Sequence, residues 1–156
     1  MLNPKVFSSV LSRGQDGSQA VEEMAQKIKK DLQGKPCDLA IIFISENYQD
    51  PDSQALVRRF HELVSPRFLI GCNSSGVVGD EQEVEMEPAI SAMAMSLPEI
   101  KIQSFSLSPR EIENLASRTE LIQSLDIYPT DQPKFICLAD PMSCDVTKLL
   151  YLFNQG

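Results

Sequence analysis

The chain has 156 residues, 42% hydrophobic and 23% charged, enough to bury a core without disulfides or metal and too apolar for a disordered segment. With 22 acidic residues against 14 Lys and Arg the net charge is −8, which excludes the basic character that holds nucleic-acid phosphates. No stretch approaches the roughly 20 apolar residues of a membrane span. The opening "MLNPKVFSSVL" lacks the charged start and long apolar run of a secretory leader, so a cytoplasmic protein with no membrane partner is expected. Cys37, Cys72, Cys137 and Cys144 lie far apart, three of them beside apolar runs, as reduced buried thiols do. Ligand pairs at the close spacing of a zinc site are missing, and no metal is expected.

Val6 to Leu11 reads as a short strand. "DGSQAVEEMAQKIKKDLQG" then predicts a helix: Val21, Met24, Ala25, Ile28 and Leu32 recur at helical spacing, Asp16 or Ser18 can cap the start, and Gly34 follows the end. "CDLAIIFIS" is continuously apolar from Leu39 to Ile44, as a central strand covered on both faces is. A second amphipathic helix from about Asp52 should bury Leu56, Phe60, Leu63 and Val64, and "SPRFLIG" should be the next, parallel strand. "AISAMAMSLP" and "IKIQSFSLS" predict an antiparallel hairpin split at Pro98 and Glu99. "SPREIENLASRTELIQSL" predicts one helix capped by Ser108 and Glu111, with Ile112, Leu115, Ala116 and Ile122 buried. "KFICLAD" reads as a buried strand, and "CDVTKLLYLFNQG" starts a helix. The sum is one α/β domain over residues 1–156, its sheet mixed but mostly parallel, with flanking helices and an inserted antiparallel hairpin.

Two stretches, "CDLAIIFISENYQDPDSQALVRRFHEL" and "PKFICLADPMSCDVTKLLYLFNQ", share the order strand, polar loop with proline, helix. The first leads on to "RFLIGCNSSG", whereas the second stops where its matching strand would begin, which suggests a piece of a longer protein.

"LAIIFIS", "LIGCNSSGVVG", "EPAISAMAMSLP" and "ICLADPMSCDVTKLL", in that order, resemble the FIST (F-box and intracellular signal transduction) domain family from about Val6 to Gly156. The resemblance implies an N-terminal FIST segment, truncated at its C-terminal end and normally joined to a C-terminal FIST half. Family members are regarded as sensory modules that bind small ligands, amino acids among them, and signal to an attached output domain. Some bacterial members are linked to haem and nitric oxide. Within these residues there is no F-box, kinase or cyclase segment.

The stretch Gly71, Cys72, Asn73, Ser74, Ser75 and Gly76 is the candidate ligand site. A Gly/Ser loop at the carboxyl end of a strand leaves backbone N–H groups free for a carboxylate or phosphate, and ligands of open α/β sheets bind there. The same residues also suit a sharp turn alone, with glycines supplying backbone angles and Ser and Asn capping it. Asp140, after "KFICLA", could line the same rim or simply make an Asp-Pro turn ahead of a helix capped by Ser143 or Asp145.

No enzyme is expected. A catalytic Cys72 would need a base, and the sole imidazole, His61, reads as a half-buried helix residue. No cofactor is expected either; haem would need His61 or a cysteine as ligand and, without Cys-x-x-Cys-His, non-covalent attachment. Glu81, Glu83, Glu85 and Glu87 alternate as a solvated strand edge would, rather than wrapping a cation. The expected role is a fragment sensing a small molecule. The alternative is an interaction module whose sheet packs on a C-terminal FIST half or output domain and which, alone, self-associates as a homodimer.

Overall fold

The computed structural model describes residues 4–48, 50–128, 130 and 132–154. They form two compact units, divided between Ile102 and Gln103. In the first, strand β1 (Val6–Arg13) is followed by helix α1 (Gly17–Asp31), β2 (Leu39–Ser45), α2 (Asp50–Val64), β3 (Phe68–Ser74), β4 (Gly76–Gly79), β5 (Gln82–Glu85) and β6 (Ala89–Ser96). α1 begins where the Asp16 carboxylate accepts a hydrogen bond from Gln19 N at 3.0 Å, satisfying one orphan donor of the first turn. It stops where Gln33 and Gly34 take positive φ. The stripe Val21, Met24, Ala25, Ile28 and Leu32 is buried as its spacing predicts, and so are Leu56, Phe60 and Val64 of α2. Both stripes join Val10, Ala40, Ile42, Ile44, Ile90, Ala92 and Ala94 in one core on one face of the sheet.

The sheet order is β1-β6-β2-β3. The mixed α/β class is borne out, but its predominant direction is corrected: β6 runs antiparallel to both β1 and β2, and among the described residues only β2 and β3 pair in parallel. The reason lies in β6. Ala92 and Ala94 on its helix side are small and its other face is largely buried too, so it inserts between two partners instead of closing a hairpin at an edge. The hairpin expected between 89–98 and 100–108 does not form, and residues 100–107 carry no strand. The hairpin that does form is β4–β5, whose turn and second strand carry Glu81, Glu83 and Glu85. It turns at Asp80 and Glu81, whose φ of 48° and 63° are those of a two-residue turn matched to strand twist.

The second face of the sheet is half covered. Val77 and Val84 of the hairpin pack with Ala89, Leu11 and Phe43 near the carboxyl ends of β1 and β2. In the other half Phe7 is 57% and Met93 45% exposed, and the register sets Met93 beside Ile41, itself opposite Ile70.

At the helix side of β1 the Ser8 hydroxyl donates to Asp31 Oδ2 at 2.8 Å, and Lys27 Nζ donates to the same oxygen at 3.2 Å. The Ser8 bond, with Lys27 adding and burial opposing, holds the Asp31 carboxyl below its ordinary range. A depressed folded-state pKa contributes stability that is complete above the unfolded value, about 4, and is lost as acid carries the pH through the folded value. Ser8→Ala should therefore flatten the acid limb of the melting temperature against pH while leaving the curve's shape near neutrality unchanged.

The second unit contains α3 (Pro109–Asn114), α4 (Arg118–Ser124) and α5 (Val146–Asn154). The single helix expected over 108–125 is two. Ser108 and Glu111 form the predicted capping box, but Leu115 is already extended, and Ser117 with Glu120 repeats the device: Glu120 N donates to Ser117 Oγ at 3.3 Å and Ala116 N to Glu120 Oε2 at 2.8 Å. Ala116 is consequently exposed, and Leu121 is buried with Leu115, Leu125 and Leu152. Phe105, Phe135 and Phe153 join this core, the rings of Phe135 and Phe153 lying 4.6 Å apart. The strand expected over 134–140 is not formed among the described residues: Phe135 turns into the core, while Ile136 is 53% and Leu138 45% exposed.

Candidate functional site

β1, β2 and β3 share one direction, so their carboxyl ends, Arg13, Ser45 and Ser74, meet at one rim with the start of β6. Backbone and side chains knit that rim together. Gly14 N donates to Pro88 O at 3.2 Å, and Glu46 N donates to Ser74 O at 2.9 Å. The buried Ser45 hydroxyl donates to Glu87 O at 2.8 Å and accepts from Asn47 Nδ2 at 2.9 Å. The Tyr48 hydroxyl reaches back to Gly14 O at 2.5 Å. The loops after β1 and β2 are thereby fixed against the residues that precede β6.

The glycine loop expected over residues 71–76 is corrected. Gly71, Cys72, Asn73 and Ser74 are the last residues of β3, in parallel register with Ile42, Phe43, Ile44 and Ser45. Only Ser75 is a bend, and β4 starts at Gly76; Ser74 Oγ donates to Gly76 O at 2.7 Å across it. Continued pairing with β2 holds the backbone extended past the point where composition suggests a turn. The glycine at 71 answers to packing, since a Cβ there would run into the Ile42 carbonyl oxygen and sit 2.8 Å from Ile42 Cγ2. Gly71, Cys72 and Asn73 are exposed, because β3 ends the sheet and its outer edge has no ladder.

Along the same rim a cavity of about 490 Å³ opens where α1 begins, lined by Asp16, Ser18, Tyr48 and Leu56 among others. Gly17 lets the two helices approach, for a Cβ on it would lie 2.7 Å from Leu56 Cδ1 and 3.1 Å from Tyr48 Cε1. Burial, with the nearby Asp16 carboxylate adding, raises the Tyr48 phenol above its ordinary value, so it stays a neutral donor. Ser53, buried on α2 one turn ahead of Leu56, has a hydroxyl with no hydrogen-bond partner among the described residues. Asp16 and Ser18 are legible in the sequence as caps; Ser45, Asn47 and Tyr48 are not, although a serine ending an apolar strand before "ENY" marks a polar exit.

All four cysteines are free, but only Cys37 is buried, its thiol pushed up by that burial; Cys72 and Cys137 are exposed and Cys144 is half-buried. His61 is exposed in the last turn of α2, not half-buried: the inward stripe of Phe60 and Val64 leaves it on the outer side. Asp140 belongs to the second unit and is exposed. There its carboxylate accepts from Met142 N at 2.9 Å and its carbonyl from Ser143 N and Cys144 N at 3.2 Å, while Asp145 caps α5 by accepting from Lys148 N at 2.8 Å. Glu83 and Glu85 flank the buried Val84 on β5 and face solvent, as do Glu81 in the turn and Glu87 beyond the strand. Among the described residues no three or more His, Cys, Asp or Glu side chains gather in a way that could hold a metal ion. None of the described helices is long and apolar enough to cross a membrane.

Two curated relatives share 31% identity with the chain over 88 residues, which is 56% of this chain and 23% of each relative. Both are uncharacterized proteins of Mycobacterium tuberculosis, one from strain CDC 1551 / Oshkosh and one from strain ATCC 25618 / H37Rv. The matched stretch thus spans less than a quarter of their length. The family that matches is the FIST N domain, over residues 38–156, which starts at β2 rather than at β1 and takes in the rest of the chain. The chain belongs to the FIST family, and from Asp38 onward it is a FIST N domain, a type of domain associated with signal transduction.

Proposed function

We propose that this domain senses a small molecule, an amino acid being one candidate, at the rim formed by the carboxyl ends of β1, β2 and β3. The observation that carries the reading is the hydrogen-bonded polar network at that rim beside a cavity large enough for a small ligand, with Asn73 exposed near the end of β3. The signal would pass to a C-terminal FIST half or an output domain of the whole protein. No step of the reading calls for catalysis, haem or another cofactor, and a cytoplasmic setting suits the free thiols.

The test is thermal denaturation of the chain with a panel of amino acids. A ligand at about 100 times its Kd stabilises by about 2.7 kcal/mol. Asn73→Ala should abolish the shift and leave the unliganded melting temperature alone, since Asn73 is exposed. A panel that shifts nothing, or shifts both chains equally, removes the reading.

The second reading, an interaction module, is favoured by the open half of the sheet around Phe7 and Met93. An apolar sheet face of this kind is covered in a working assembly, by the partner half or by a second copy as a homodimer. Phe7→Glu abolishing self-association seen by light scattering would support the homodimer, and a monomer at high concentration would exclude it.

A further inference from the structure

We infer that residues 134–140 of the second unit are a self-complementary edge, through which two copies of the chain join as an antiparallel strand pair. The segment runs from Pro133 to Asp140 without helix, turn or bend, and among the described residues it belongs to no ladder. Its ends are marked. Pro133 has no N–H to offer a partner, and the Asp140 carbonyl accepts from Ser143 N and Cys144 N at 3.2 Å where the chain turns towards α5. Phe135 packs into the core of this unit, whereas Ile136, Cys137 and Leu138 are exposed. A straight apolar backbone without a ladder is what a strand from another chain adds to.

The residues of the segment say which strand fits. Side chains of a strand alternate, so Lys134, Ile136, Leu138 and Asp140 share one face, and all four are exposed. Lys134 and Asp140 stand at equal distances along the chain from Cys137. With Cys137 of one copy opposite Cys137 of the other, Lys134 of each copy therefore faces Asp140 of its partner, and Ile136 faces Leu138. Opposite charges and apolar pairs directly across a ladder both stabilise it. The Asp140 oxygen that accepts from Met142 N at 2.9 Å is Oδ1, which leaves Oδ2 for the lysine. Sliding one copy by two residues sets Lys134 against Leu138 or Met142 and loses both charge pairs. A parallel pair in register sets like charges together. The two-fold arrangement uses one patch on both copies, so it closes as a dimer rather than growing into a fibre. It draws on no residue of the first unit and is separate from the face around Phe7 and Met93.

The test is sedimentation of the whole chain up to millimolar concentration. Two strands of this length make a small, transient interface, so a weak reversible dimer is expected. Lys134→Asp and Asp140→Lys, both at exposed positions, should each weaken it by at least about tenfold and keep the melting temperature of the native chain. An equimolar mixture of the two variants should recover the native affinity, because two aspartates on one copy then meet two lysines on the other. Mild oxidation of the native chain should join the copies through Cys137, whose Cα atoms this register brings within disulfide range, and Cys137→Ser alone should prevent it. A native chain that stays monomeric overturns the inference, as does a mixture no better than either folded variant, or oxidised copies joined through Cys72 or Cys144 instead. The oxidation is done on the native chain and does not depend on any variant folding. A dimer that Phe7→Glu abolishes and neither charge reversal touches also overturns it, and assigns self-association to the sheet face.

Discussion

Gly71→Ala is expected to destabilise the chain by about 3 kcal/mol, the scale of overpacking a tight core, while the neighbouring Asn73→Ala stays within about 0.5 kcal/mol. The reason is local and backbone-bound. Gly71 lies opposite Ile42 in the parallel pair of β3 with β2, and an added methyl would meet the Ile42 carbonyl oxygen, a main-chain atom held in the middle of the sheet. A side chain could swing aside, but this oxygen can yield only if β2 and β3 move apart, which loosens their ladder. Urea unfolding of the two variants measures the difference. If Gly71→Ala unfolds like the native chain, the close approach of the strands is wrong, and with it the placement of residues 71–74 in β3. The result also bears on function, because it separates a glycine needed for packing from one needed to admit a ligand. An inert Asn73→Ala that loses a ligand-induced stabilisation would assign the contact to the exposed end of the strand.

The core of the first unit was legible because its signals are periodic and local. The stripes of α1 and α2 and the apolar β2 follow from residue spacing alone, and the caps at Asp16 and Ser108 follow from one side chain and one N–H. Strand pairing is not local. "AISAMAMS" is legible as a strand, yet nothing within it says that its partners are β1, some 80 residues earlier in sequence, and β2 rather than the segment that follows Pro98. The same limit misplaced the candidate site. Glycine, serine and asparagine in "GCNSSG" signal a turn by composition, but the ladder to β2 overrides that preference until Ser75. The rim network was hidden for a related reason: Ser45, Glu87 and Gly14 are brought together only by β6 entering between β1 and β2. In the second unit the repeated Ser-x-x-Glu of residues 117–120 was present to be read, and it outweighs the continuous apolar spacing that suggested one long helix.

Phe60→Ala should be the most damaging single truncation in the first unit, at about 3–5 kcal/mol. Phe60 is fully buried in the core shared by α1, α2 and the sheet, and it is the largest of the side chains sealed from solvent there. Removing its ring leaves a void that the surrounding helices and strands cannot close without shifting against one another, so the loss includes a cavity term as well as transfer. At about 4–8 °C per kcal/mol for a unit of this size, the melting temperature should fall by more than about 12 °C. Phe60→Leu should recover much of the loss, since it restores most of the volume. His61→Ala, one residue on and exposed, should cost almost nothing. The contrast is the informative part, because adjacent helix residues point about 100° apart. If His61→Ala proved as costly as Phe60→Ala, α2 would be rotated, the stripe of Leu56, Phe60 and Val64 would no longer seal the core, and the convergence of both helix starts on the rim would lose its support.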